Sequence, residues 1–76
     1  MDQSFYHFMM TFRSKTPPDE ESRLADWMFQ DIGFPKQATD YHEISNYLEM
    51  NSPFDGALSV FDELYDIYLI KINQYF

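Results

Sequence analysis

Residues 54–68 read Phe54-Asp55-Gly56-Ala57-Leu58-Ser59-Val60-Phe61-Asp62-Glu63-Leu64-Tyr65-Asp66-Ile67-Tyr68. Phe54, Ala57, Leu58, Phe61, Leu64, Tyr65 and Tyr68 recur at three- and four-residue spacing, while Asp55, Asp62, Glu63 and Asp66 occupy the other side. That is the pattern of a helix with one buried face, and no alternating run competes with it. The chain is therefore read as all-α. The pattern continues through Ile72, Tyr75 and Phe76, and a helix carried that far, about 24 residues, would be about 36 Å long. A domain of this size is expected to be roughly 30 Å across. The last aromatic turn must fold back, fray or be held by a partner.

Three more segments of helical spacing lie upstream. Thr39 or Asp40 can cap one of them, Asp40-Tyr41-His42-Glu43 resembling a capping box, with Tyr41, Ile44, Tyr47 and Leu48 facing inward. Asn51-Ser52-Pro53 closes it and opens the last helix, with Ser52 as N-cap and Pro53 at the first helical position. Before that, a helix starts near Asp19, whose neighbours Glu20 and Glu21 suit the positive end of a helix dipole. Its predicted inner face is Leu24, Ala25, Met28, Phe29 and Ile32, with Gly33 as its end and Pro35 as a stop. The first helix runs from Ser4, a good N-cap, to Arg13, and puts Phe5, Phe8, Met9 and Phe12 on one stripe with Tyr6, His7 and Met10 off it. Pro17 and Pro18 separate it from the second.

Length and composition bound the rest. With 76 residues the chain makes one domain, 1–76, near the lower end of what folds unaided. It has no cysteine, which excludes disulfides, cysteine metal sites and a thiol nucleophile. Its 13 acids against 5 bases leave a net charge of -8, yet 20% of residues are aromatic, too many for a disordered chain. No basic residue precedes Arg13, as a secretory signal would require, and no apolar run approaches the roughly 20 residues of a membrane span. A soluble, cytoplasmic protein without a membrane partner is expected.

The residues also resemble a known family. Ser4-Phe5-Tyr6-His7-Phe8-Met9-Met10-Thr11-Phe12-Arg13, Leu24-Ala25-Asp26, Phe34-Pro35-Lys36, Thr39-Asp40-Tyr41-His42-Glu43-Ile44-Ser45-Asn46-Tyr47-Leu48-Glu49 and Phe61-Asp62-Glu63-Leu64-Tyr65-Asp66-Ile67-Tyr68 look, in order, like the YozE family of small proteins from low-GC Gram-positive bacteria. The likeness runs from about Ser4 to Leu69, leaving 70–76 as a C-terminal extension. It implies a bundle of four helices, or five, in two crosswise-packed hairpins like a sterile alpha motif. It implies no activity, because the family has no established function and fold alone does not transfer one. Two features depart from it: the apolar stretch Ile70 to Phe76, and the large ring of Trp27.

No residue set makes an enzyme. His7 lies off the core stripe with no ligand chemistry near it in sequence, and Asp40, His42 and Glu43 are too closely spaced on a helix to converge on one ion. Asp55, Asp62 and Asp66 lie on the polar face of the last helix, where solvated acids are the default. There is no phosphate loop, serine elbow or His-Glu-x-x-His, and a helical domain this small seldom offers the roughly 300 Å³ that a substrate needs. No catalytic residue, metal or cofactor is expected.

Binding remains, in two forms. A nucleic-acid interface needs cations; the first 38 residues hold 6 acids and 4 bases, the last 38 hold 7 acids and 1 base. Only a local patch of Arg13, Lys15 and Lys36 could serve, with Arg23 expected to pair with Glu20, Glu21 or Asp26. The favoured form is a protein-interaction module, its partner an unidentified protein or a second copy. At 100° per residue Trp27 points roughly opposite Ala25, Met28, Phe29 and Ile32, so it either forms a contact surface with Tyr6 and Met10 or closes the core edge against Phe34-Pro35. The tail residues Ile72, Tyr75 and Phe76 are the other candidate surface.

Overall fold

The computed structural model describes residues 3–51 and 53–73. Ser4, in extended conformation, accepts the His7 N–H on its hydroxyl at 3.2 Å and so starts α1, Phe5–Met9. This helix tightens into a 3₁₀ turn over Met10–Phe12 instead of running as α-helix to Arg13. Phe5, Phe8 and Met9 are buried. Phe12, at the end of the tightened turn, is half-buried and meets Phe8 edge-on at 5.3 Å.

α2 spans Glu20–Gln30. Asp19 Oδ1 accepts the Ser22 N–H at 2.8 Å and Ser22 Oγ accepts the Asp19 N–H at 2.9 Å, a closed capping box that holds Ser22 wholly out of solvent. Leu24, Ala25 and Met28 are buried as expected, but α2 stops at Gln30, before Ile32 can come round to the core. Ile32 is 92% exposed and Phe29 50% exposed, so neither belongs to the inner face. Nor does Gly33 end the helix with a left-handed residue, since Gly56 is the glycine at positive φ. Gly33 is needed for a close approach: a Cβ there would lie 2.9 Å from the Tyr47 hydroxyl.

α3 covers Tyr41–Asn51, with Asp40 Oδ2 accepting the Glu43 N–H at 3.0 Å. Ile44 and Leu48 are buried. Tyr41 and Tyr47 are half-buried at the core edge, Tyr41 donating to Asp62 at 2.6 Å and Tyr47 to Asp31. Each carboxylate stabilises the protonated hydroxyl and raises the phenol above its ordinary range.

α4, Ala57–Ile72, begins later than Pro53. Residues 53–56 form a turn instead, and Gly56 at φ 84 supplies the left-handed bend that leads into the helix. Ser52, expected as the cap, lies outside the described residues. Phe54 precedes α4 and is half-buried against the core, with the Arg23 guanidinium over its ring at 4.4 Å. Ala57, Phe61, Leu64, Tyr65 and Tyr68 are buried as read, and Val60 joins them.

The described residues contain four α-helices and no strand, with a radius of gyration of 11.8 Å. α1, α2 and α3 all pack on α4. At the centre the Phe5 ring lies 5.2 Å from Phe61 and 5.5 Å from Tyr68, both edge-on, and 5.9 Å from Tyr65. The hydroxyls of the two tyrosines reach backbone carbonyls, Tyr65 to Thr39 at 2.7 Å and Tyr68 to Gln3.

Phe5→Ala should cost about 3–5 kcal/mol, a large part of the 5–15 kcal/mol typical of a domain, and abolish the cooperative thermal transition followed by circular dichroism. Phe12→Ala, at a half-buried site, should keep it. Gly33→Ala should destabilise the wild type but cost less in a Tyr47→Phe background, because the atom in its way is then gone; urea melts of the four chains read that coupling.

Candidate functional site

Three grooves stand out on the described surface. The first, of about 520 Å³, lies between α1, the C-terminal half of α2 and the loop that follows it. The loop is brought against α1 by the Phe5 N–H donating to the Ala38 carbonyl at 3.3 Å. Its floor is made by Tyr6, Met10 and Phe29. Arg13 and Lys36 supply two cations, and His7 an imidazole; Ser4 and Gln37 complete the rim. None of these residues is a carboxylate. The groove exceeds the size expected of so small a helical domain, although it is open to solvent rather than enclosed.

Both cations are held over rings. The Arg13 guanidinium carbon sits 3.4 Å from the Phe29 ring centroid, and Lys36 Nζ 5.5 Å from that of Tyr6. Beyond Arg13 the chain turns at Ser14, which takes a left-handed φ of 62 and donates its N–H to Asp26 Oδ1 at 3.2 Å. Arg13 Nε is 3.9 Å from the same Asp26 oxygen, a loose and partly exposed ion pair, and Nε itself is buried without a hydrogen-bond partner.

The second groove, of about 300 Å³, is its electrostatic opposite, lined by Asp19, Glu20, Glu21, Glu63 and Val60. Lys15 stands beside it, its Nζ donating to Asp19 Oδ2 at 2.7 Å. That bond, with the Ser22 N–H second, lowers the Asp19 carboxyl to about 2, while Lys15 is raised in turn. The third, of about 280 Å³, lies where α3 meets α4, around Leu48, Phe54 and Leu58. No groove of the three is lined by residues 40–43. Among the described residues no three histidines or carboxylates gather as metal ligands, and Asp62 is engaged by Tyr41.

The structure thus joins parts of two expected sites. Tyr6 and Met10, read as protein contacts, share one groove with Arg13 and Lys36, read as a basic patch. Lys15 is not in it. Trp27 is half-buried and does not line this groove; it stands edge-on to Phe34 at 6.4 Å, a ring that Tyr6 also meets at 5.9 Å, and is tilted on Tyr47 at 6.3 Å. Ile72 is half-buried and packs on the core, and Tyr75 and Phe76 lie outside the described residues. Arg23 lies over Phe54, while Asp26, one of its expected partners, faces Arg13. Ser4, His7, Phe29 and Gln37 are the groove residues that sequence reasoning did not assign to a site. The signal for Phe29 is the early end of α2, which leaves no following turn to cover it.

The fold and the order of these residues match the family model described as YozE SAM-like fold over residues 4–70. The chain belongs to the YozE family. A UPF0346 protein of Listeria monocytogenes is 44% identical over 70 residues, covering 92% of this chain and 91% of its own length. The UPF0346 protein YozE of Bacillus subtilis is 44% identical over 71 residues, 93% of this chain and 96% of its own; that of Bacillus pumilus is 40% identical over 72. None of the described helices of this YozE-family chain is long and apolar enough to cross a membrane.

Asp19, ordinarily near 3.8, titrates at about 2 in the folded chain, so its pairing stabilises the fold above pH 3.8 and is lost as pH falls from there through 2. Lys15→Ala should move the carboxyl back toward its ordinary value, read by carbon NMR titration, and make the acid transition begin at higher pH.

Proposed function

We propose that this YozE-family chain is a protein-interaction module without catalytic activity, and that it binds through the groove between α1, α2 and the following loop. The observation that carries the reading is Phe29: a large ring half open to solvent, with an arginine laid across it, in a groove whose lining holds no carboxylate. Aromatic rings and arginine are the side chains most often found at energetic centres of interfaces. Tyr6 and Met10 extend the same apolar floor, giving a partner side chain something to fill.

The nucleic-acid reading draws on the same groove, through Arg13 and Lys36. It is the weaker, because Lys15 is engaged by Asp19 and two cations neutralise few phosphates on a chain of net charge -8. Trp27→Ala is a poor probe of either reading, since that ring packs on Phe34 and Tyr47 and its loss would act through stability.

Immobilised wild type should retain a cytoplasmic protein that Phe29→Asp, still folded by circular dichroism, does not. Retention of the same proteins by both chains, or of none above bare resin, would overturn the proposal.

A further inference from the structure

The groove's chemistry narrows the partner. In a chain with 13 acids among 76 residues, its lining contains no carboxylate and holds two of the five bases. The second groove inverts this, with four carboxylates and no base. Both cations lie over aromatic rings, Arg13 at 3.4 Å and the exposed Lys36 at 5.5 Å, and a side chain already held on a ring loses less freedom when an anion arrives. Asp26 offsets Arg13 only loosely at 3.9 Å, and a partly exposed pair at that distance is worth little.

We propose that the groove takes a short acidic peptide segment of a partner protein, with one apolar side chain seated on Tyr6, Met10 and Phe29 and flanking carboxylates held by Arg13 and Lys36. This rests on the reading of the groove as a protein contact. The local extent of the positive charge favours a peptide over a nucleic acid. A nucleic acid carries a phosphate on every nucleotide and would run past the groove onto carboxylates. A peptide can confine two or three charges to it. The remaining acids do not forbid such a ligand, because at physiological ionic strength charges separated by more than about 8 Å are largely screened. Arginine matches a carboxylate with two parallel N–H donors, and Lys36 and His7 add donors without a fixed fork.

The test is selection of peptides from a displayed random library of about eight residues, some 26 Å when extended, on wild-type chain, followed by fluorescence anisotropy of those enriched. They should carry at least two Asp or Glu around one aromatic or branched apolar residue. Their affinity should fall about tenfold with Lys36→Gln and with Arg13→Gln, the loss of one charge-assisted hydrogen bond each, and should weaken with added salt. No enrichment, enrichment of basic peptides, or tighter binding of an oligothymidine would overturn the proposal. Enriched uncharged peptides that Phe29→Asp releases and the two glutamine variants keep would overturn the acidic preference alone and leave the groove as a protein contact.

Discussion

The fold depends on the Phe5 ring meeting the Phe61, Tyr65 and Tyr68 rings of α4. α1 has only five residues, and a helix that short does not persist in water by itself. It stands because its inner face is inserted among those rings, edge-on to two of them, the geometry that aromatic quadrupoles favour. The tyrosines fit a dry core because each carries a polar tip that reaches a carbonyl: Tyr65 holds the approach to α3, and Tyr68 the start of the chain. Burial, the largest influence on Tyr65, raises its phenol further and keeps it a neutral donor.

That anchoring also makes the groove. With Phe5, Phe8 and Met9 turned inward, the same short helix and the 3₁₀ turn that continues it present Tyr6, His7 and Met10 to the groove, and the loop fastened to it at Ala38 carries Lys36 alongside. Arg13 follows directly on the 3₁₀ turn that continues this helix, and the left-handed residue Ser14 comes next. A net charge of -8 therefore does not describe the whole surface. Four carboxylates line the groove between the start of α2 and α4, while Arg13 and Lys36 line the groove between α1, the end of α2 and the following loop.

Much of the fold was legible along the chain. Ser4 and Asp40 act as caps through bonds to amides three residues on, which is local chemistry. The buried stripe of α4 followed from spacing, missing Val60 alone among its buried residues. Boundaries were less legible. The periodicity of α2 ran on through Phe29 and Ile32, but the chain leaves the helix at Asp31, whose carboxylate is taken by Tyr47 from α3. Pro53 looked like a first helical residue, yet Gly56 sets the bend. Half the groove was named in advance, as two separate sites; that they are one depends on loops whose path no spacing encodes.

By itself the sequence determined that the chain is helical, acidic and aromatic-cored, because periodicity, capping and composition act within a few residues of one another. Only the tertiary structure decided that Phe29 stays uncovered, that Trp27 closes against Phe34 and Tyr47, and that Arg13 and Lys36 face one groove. Each of those outcomes is a competition between distant groups for one neighbour, and it is settled by which surfaces the packed helices leave within reach.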